Sequence, residues 1–599
     1  GMSSHDPFPR RILPLPIEDY ALLGDCHTAA LTGRDGTIDW LCLPRFDSPA
    51  CLTALLGTAE HGYWAIHPVE PVLSVQRRYR DDTLILETTF TTQTGEVMLT
   101  ECMPVEQEHR TLIRCVTAVR GQVQMRCSLR LRFDYGQTIP WVTKLPDGSG
   151  LCAIAGPDQV VLRSTVPLQG QHLTTEAVFE VKDGQTETFV LQHALSHEPL
   201  PSTLDAEAAL AYTEQWWRNW CAHCTYHGPW REAVLRSLIV LKALTYAPTG
   251  GIIAAPTTSL PEDPGGIRNW DYRYCWLRDA ALTLSAFISC GYHTEAQAWR
   301  DWLHRSIAGD ASQIQIMYGL CGERNLQEWT VESLPGYHNA APVRIGNAAA
   351  DQVQLDIYGI MAHVAQLGRA ARLHNRHSAW ALQTEVVNWL QHIWKQPDQG
   401  IWEVRGGPRQ FVHSKVMAWF TFEASLQDME RYSLPGPKES WTRTRDALHA
   451  DICKNGFNKD LGSFVQFYGG DTLDAALLLL PRVGFLPYDD PRIQQTIAMI
   501  EKHLLKEGFL QRYKTCDNVD GLNSTEGAFL ACTFWLADAY ALSGRREDAI
   551  ALFEKLLSLR NDVGLLAEEY DPRNNTQLGN FPQGFSHLAL IHTALTLSA

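Results

Sequence analysis

The pattern of apolar residues changes near residue 200, and this change most strongly limits the folds open to the chain. Before it, short runs rich in β-branched residues, such as 83–90 and 112–119, alternate with Gly, Pro and Asp. Beyond it, apolar residues recur at spacings of three and four. The first pattern is typical of antiparallel strands and the second of amphipathic helices. We therefore predict a multidomain β + α protein, with an N-terminal antiparallel β-sandwich over 1–203, a helical linker over 204–229 and a helical domain over 230–599.

The helical domain contains twelve periodic segments, separated by loops of very unequal length. Six helical hairpins closed into an (α/α)6 barrel would account for this number, with the long loops gathered at one end. An open helical solenoid is the alternative, but no repeat in the sequence supports it. The predicted helices begin near Arg231, Arg278, Thr294, Asn347, Ser378, Phe411, Lys438, Asp471, Pro491, Glu526, Arg545 and Pro582.

Length and charge narrow the class of ligand. The 599 residues exceed what one hydrophobic core usually supports, so two domains are expected. The formal net charge of -16 opposes binding to nucleic acid or to an anionic membrane surface, and a neutral small molecule fits better as the ligand.

The sequence has no apolar run of membrane-spanning length and no signal-peptide pattern, and its fifteen cysteines are scattered. We expect a cytoplasmic protein without structural disulfides.

The segment 268–279 combines four aromatic rings with five charged residues. Aromatic faces cover the apolar CH faces of a hexose, and adjacent charged groups form strong hydrogen bonds with its hydroxyls. We therefore predict the floor of a sugar pocket, with Tyr272, Trp276, Arg278 and Asp279 as binding residues. The alternative is a loop-to-helix junction with a local ion pair.

Hydrolysis of a glycoside requires two carboxyl groups, one protonated and one ionised. Glu403 follows Trp402 in a glycine-flanked turn, and burial against an indole would raise the pKa of Glu403, as a general acid requires. An exposed pair of Glu403 with Arg405 is the alternative.

Residues 567–571 place three acids within one short stretch that includes Glu568 and Glu569. Neighbours in an extended backbone point to opposite sides, so one of the two would face the cavity and the other a structural partner. A solvated acidic turn is equally compatible with this stretch. Arg344 and Arg512 are further candidates for the pocket, whereas Glu526 suits the first turn of a helix. We predict no metal site and no cofactor.

Several of these segments resemble those of glycoside hydrolase family 15, the glucoamylase family. Residues 271–279 resemble its substrate-binding segment, 401–403 the segment with the general acid, and 567–571 the segment with the general base. Residues 17–42 are similar to the β-domain of the bacterial branch, many members of which are called trehalase-like. The resemblance implies Glu403 as the acid, Glu568 as the base and Arg512 as a substrate-binding residue. We also predict Trp402 and Glu569 among the substrate-binding residues.

The resemblance implies an inverting, exo-acting α-glucoside hydrolase of glucoamylase type, with carboxyl groups about 6.5 to 9.5 Å apart. A trehalase of the same family, a phosphorylase and a glucan-binding protein without catalysis are the alternatives. Two positions depart from the family pattern: Ile360 stands where a Glu is expected, and Phe585 stands where fungal glucoamylases have a Trp. Both positions concern substrate preference.

Overall fold

A computed structural model describes residues 11–374, 379–514 and 527–599. The strands of the first part of the chain form one antiparallel domain, and the long helices follow, as the change near residue 200 predicts. The strands are β1 (Tyr20–Gly24), β2 (Ala29–Gly33), β3 (Thr37–Cys42), β4 (Ala50–Leu52), β5 (Tyr63–Pro68), β6 (Ser74–Tyr79), β7 (Leu86–Thr91), β8 (Gly95–Cys102), β9 (Thr111–Arg130), β10 (Trp141–Lys144), β11 (Gly150–Ala155), β12 (Asp158–Ser164), β13 (Gln169–Gln171), β14 (Thr174–Lys182) and β15 (Thr186–Leu195).

The long strand β9 connects the two layers of the sandwich. Its first half pairs with β8 and β15, and its second half pairs with β5 and β14. The change of partners occurs at Gly121, whose φ is +65°. A Cβ at this position would lie 2.2 Å from the carbonyl oxygen of Thr94, so glycine is required for the strand to continue from one layer into the other.

Most of the predicted helical segments are α-helices in the structure. They are α1 (Ala206–Cys221), α2 (Arg231–Ala243), α3 (Ala280–Ser289), α4 (His293–Ile307), α5 (Asp356–Ala370), α6 (Ala379–Ile393), α7 (Val412–Tyr432), α8 (Lys438–Asn455), α9 (Pro491–Leu504), α10 (Leu530–Leu542), α11 (Arg546–Leu557) and α12 (Gly584–Ser598), together with the short 3-10 helix Ala475–Leu479.

Six of these elements form a closed inner ring: α3, α5, α7, the 3-10 helix, α10 and α12, with α12 packing back against α3. An outer helix packs against each inner one, namely α4, α6, α8, α9, α11 and α2 in the same order. Nearly every residue of α10 is buried, as expected for a helix surrounded by other helices. The (α/α)6 barrel is therefore confirmed.

Two predicted helices have a different form. The segment near Asp471 is the 3-10 helix Ala475–Leu479, because Pro481 lacks the N–H that would continue an α-helix. Asn347 caps a short 3-10 helix, Ala348–Asp351, and α5 begins only at Asp356. Two predicted starts, Ser378 and Glu526, lie outside the described residues.

Two further observations concern the cysteines and the helices. Every cysteine in the described ranges is a free thiol, including the closely spaced Cys221 and Cys224. Within those same ranges, no helix combines the length and the apolar character needed to cross a membrane.

Candidate active site

The loops that lead into the inner ring carry the candidate residues. Asp279 precedes α3, Asp356 is the first residue of α5, Glu403 lies before α7 and Glu568 lies before α12. A narrow pocket of about 40 Å³ opens here, and it is lined by Glu262, Arg268, Trp270, Tyr272, Trp276, Asn347, Ala349, Trp402, Glu403, Arg405, Arg512 and Tyr513.

Two of the five charges in 268–279 anchor the floor of the pocket. Arg273 and Asp271 are both fully buried and form an ion pair of 3.0 Å. Arg273 also donates to the Ser48 carbonyl at 3.1 Å and to the Tyr135 hydroxyl at 2.7 Å, which ties the floor to the β-domain. Removing one partner of such a pair would leave a buried charge uncompensated.

Arg278 and Asp279 pair with each other, as the loop-to-helix alternative expects, but Arg278 also contacts the candidate acid. Its Nε lies 3.0 Å from Asp279 Oδ1, and its Nη1 lies 3.4 Å from Glu403 Oε1. The Arg278 guanidinium carbon is 4.8 Å from the centre of the Phe585 ring. Burial raises the pKa of Asp279, although the charge of Arg278 opposes the shift.

Glu403 accepts a hydrogen bond of 2.9 Å from Trp276 Nε1. Burial raises the pKa of Glu403, while the charge of Arg278 and the Trp276 hydrogen bond offset part of the rise. The backbone of Glu403 has a φ of +50°, a region that non-glycine residues seldom occupy. The surrounding turn therefore holds this carboxyl group in an unusual orientation, close to the Trp276 indole.

Two contacts of Glu403 differ from the sequence expectation. The indole beside it belongs to Trp276, whereas the adjacent Trp402 donates to Asp474 Oδ1 at 3.0 Å. Arg405 does not pair with Glu403 at the surface, because it binds Glu328 at 3.1 Å instead. Neither difference could be found from spacing along the chain, since the partners come from distant loops.

Glu568 is almost completely buried, and its Oε1 has no hydrogen-bond partner among the described residues. Burial and the nearby Glu262 raise the pKa of Glu568 well above its ordinary value, and Arg512 opposes the shift. A hydrogen bond with Tyr272 acts in the same direction as Arg512. A carboxyl group with high proton affinity is suited to take a proton from water.

The carboxyl groups of Glu568 and Glu569 do not diverge, contrary to the expectation from an extended backbone. One oxygen of each lies within 4.8 Å of the other and of an oxygen of Glu262. Arg512 explains the convergence, because its Nη2 lies 3.0 Å from Glu262 and 4.0 Å from Glu569. Glu569 is fully buried and belongs to this cluster of charges.

Tyr272 and Trp276 connect the two candidate catalytic groups. Their rings pack edge to face with centres 5.2 Å apart. Trp276 donates to Glu403, and the Tyr272 hydroxyl donates to Glu262, whose carboxylate lies beside that of Glu568. The two glutamates therefore lie at the two ends of an aromatic floor, an arrangement suited to acid and base catalysis on a sugar bound over the rings.

The outer wall of the pocket consists of an indole held between cations. Trp270 has the guanidinium carbons of Arg344 and Arg405 at 4.3 and 4.0 Å from its ring centre. Arg344 donates to the carbonyls of Ile267 and Asn269, so it supports the wall and is not among the described residues that line the pocket. Arg512, Tyr272, Trp276 and Trp402 do line it.

Sequence reasoning missed Glu262 and Asp356. Glu262 lies between two prolines in a segment whose composition is typical of an ordinary turn, and no sequence signal links it to Glu568.

Asp356 is fully buried, and neither of its carboxyl oxygens has a hydrogen-bond partner among the described residues. Burial, followed by the charges of Asp398 and Glu403, raises the pKa of Asp356 to about 8. The sequence signal that could have revealed Asp356 is an acidic residue at the start of an otherwise apolar helical segment.

The substitution Asp356→Asn is expected to stabilise the protein at neutral and alkaline pH. Because the folded pKa lies above the ordinary value of 3.8, the folded state binds this proton more tightly than the unfolded chain, and stability falls as the pH rises from 3.8 to about 8. Asn carries no charge, so the Tm difference between variant and wild type should grow across that window. The exposed Asp183→Asn variant is the control. A Tm difference independent of pH in a calorimetric series would contradict the assignment.

Comparison with known proteins identifies the family. A family model described as "Glycosyl hydrolases family 15" matches residues 228–595, and one described as "Trehalase-like, N-terminal" matches residues 13–216. This chain belongs to glycosyl hydrolase family 15. The resemblance seen in the sequence is thus confirmed, and so is the expectation of a glycoside hydrolase.

Relatives align over nearly the whole chain. An enzyme named trehalase from Mycolicibacterium smegmatis is 36% identical, over 99% of this chain and 92% of the relative. One named trehalase from Thermoplasma volcanium is 33% identical, over 96% of this chain and 93% of the relative. A bacterial glucoamylase solved with acarbose has a TM-score of 0.75 over 99% of this chain and 96% of its own, at 14% identity, and this likeness concerns the fold alone.

Proposed function

We propose that this family 15 enzyme hydrolyses α,α-trehalose to two molecules of glucose. The observation that carries the proposal is the alignment with relatives named trehalase over both the β-domain and the barrel. Sequence alone favours a glucoamylase-type substrate and leaves trehalose as the alternative. The relatives favour that alternative.

The lining of the pocket agrees with a sugar ligand. Aromatic rings alternate with charged groups around it, which suits a ligand whose two rings both carry hydroxyls on their edges and CH groups on their faces.

In the proposed reaction, Glu403 gives its proton to the glycosidic oxygen while the bond from that oxygen to the anomeric carbon breaks. A water molecule attacks the same carbon from the opposite face and loses one proton to Glu568. The products are two glucose molecules, and exchange with solvent returns the proton from Glu568 and restores the one on Glu403. Arg278 and Asp279 are placed to hold the sugar ring whose carbon reacts.

A panel of α-glucosides tests this proposal. Glucose release from trehalose, maltose, isomaltose and soluble starch is measured without phosphate, and kcat/KM for trehalose is expected to be highest by about tenfold or more. A higher value for maltose or starch would overturn the proposal in favour of a glucoamylase. Glu403→Gln protein, prepared in parallel, controls for contaminating glycosidases.

A further inference from the structure

Glu262 is a buried carboxyl group beside Glu568, and the proposed reaction gives it no role. It is almost completely buried and lines the pocket. Its Oε2 accepts a hydrogen bond of 3.0 Å from Arg512 Nη2, and its Oε1 accepts one of 3.3 Å from the Tyr272 hydroxyl. Both carboxylate oxygens of Glu262 therefore accept hydrogen bonds, one of them from a cation.

The backbone fixes Glu262 next to Glu568. Gly579, in the hairpin that follows Glu568, donates its N–H to the Pro261 carbonyl at 2.8 Å. A Cβ on Gly579, whose φ is +85°, would lie 3.1 Å from Glu568 Cβ, so the hairpin passes directly behind the candidate base. The loop with Glu262 and the hairpin with Glu568 therefore form one unit.

The short distance between the two acids has an electrostatic consequence. Carboxylate oxygens of Glu262 and Glu568 lie within 4.8 Å of each other. Two like charges this close disfavour the ionised form of one partner, which raises its affinity for a proton. Among the described residues, the charged and titratable groups facing the pair include Arg512, Tyr272, Glu569 and Arg344.

We propose that Glu262 is a positioning residue whose negative charge, held by Arg512 and Tyr272, makes Glu568 a stronger base. This inference rests on the proposed reaction, in which Glu568 takes the proton of the attacking water. Glu262 exchanges no proton with the substrate. A stronger base gains more from proton transfer in the transition state, provided that it is ionised at the working pH.

The test is the pH dependence of the Glu262→Gln variant. Glu568 must be ionised to act, so its protonation produces the acidic limb of the kcat/KM profile. Removing the neighbouring charge lowers the proton affinity of Glu568, and the limb is expected to move to lower pH by about 1 unit or more. At the plateau, kcat should fall by about three- to tenfold, because the base is weaker.

Two variants separate charge from shape. Glu262→Asp keeps the charge and should leave the acidic limb close to its wild-type position. Asp263→Asn makes the same charge change at the next residue, whose charged neighbours are Arg268, Arg573 and Asp571, and should not move the limb. The inference is overturned if the limb of Glu262→Gln does not move, or if Glu262→Asp moves it equally.

The choice of substrate keeps this test separate from the proposed function. The profiles are recorded on whichever α-glucoside the wild type hydrolyses fastest, so a preference for maltose would reject the trehalase proposal and still test Glu262. If Glu262→Gln has no measurable activity, calorimetric binding of deoxynojirimycin, a basic glucose mimic, replaces kinetics. The midpoint of its pH-dependent affinity should then shift downward relative to wild type, and an unchanged midpoint would overturn the inference.

Discussion

The Glu403→Gln variant is expected to lose trehalose hydrolysis by about 10²- to 10⁴-fold in kcat. An amide cannot donate the proton that the departing sugar oxygen needs, while its size and its contact with Trp276 are nearly preserved. The same variant should still hydrolyse α-glucosyl fluoride at close to the wild-type rate, because fluoride departs without a proton. Steady-state kinetics on the two substrates measure this difference.

The binding of trehalose to Glu403→Gln, measured calorimetrically, is the control, since the residues that hold the sugar remain. Near-wild-type kcat on trehalose would reject Glu403 as the acid. An equal loss on trehalose and on the fluoride would also contradict the assignment, because it would indicate that Glu403 acts in a step common to both substrates.

The Glu568→Gln variant is expected to lose activity on both substrates, again by about 10²- to 10⁴-fold. Activation of water is needed whatever the leaving group is, so a good leaving group cannot compensate for the missing base. In the smaller Glu568→Ala variant, added azide should attack in place of water and give β-glucosyl azide from α-glucosyl fluoride, which NMR detects.

Glu569→Gln is the matched comparison for Glu568→Gln, because the two residues are adjacent and both buried. The loss of kcat should be much smaller for Glu569→Gln. If Glu569→Gln were the more damaging change, or if the Glu568→Ala product with azide had the α configuration, Glu568 would not be the base of an inverting reaction.

The fold was largely predictable from sequence, because strands and helices each space their apolar residues with a characteristic period along the chain. The change near residue 200 and most of the helical starts follow from that period alone. The 3-10 helix Ala475–Leu479 was mistaken for an α-helix because its apolar spacing is the same over so few residues. The division into inner and outer helices depends on packing between segments, which local periodicity does not contain.

The candidate site was predictable in part. Tyr272, Trp276, Arg278 and Glu403 stand in segments whose composition is unusual, and the structure brings them together at one pocket. Contacts between loops were not predictable, since they join residues far apart in the chain.

Glu262 illustrates this limit. Its importance comes from Arg512 and Glu568, which reach it from two other loops. Arg344 shows the same limit, because its hydrogen bonds to the Ile267 and Asn269 carbonyls become apparent only in the folded chain.

In the proposed mechanism, two glutamates at the ends of an aromatic floor hydrolyse an α-glucoside with inversion. NMR of the glucose released in the first minutes of trehalose hydrolysis tests this stereochemistry most directly. Inversion at one of the two anomeric carbons predicts α- and β-glucose in equal initial amounts, the α anomer being the departing sugar. Initial release of the α anomer alone would mean retention and would contradict the roles of Glu403 and Glu568.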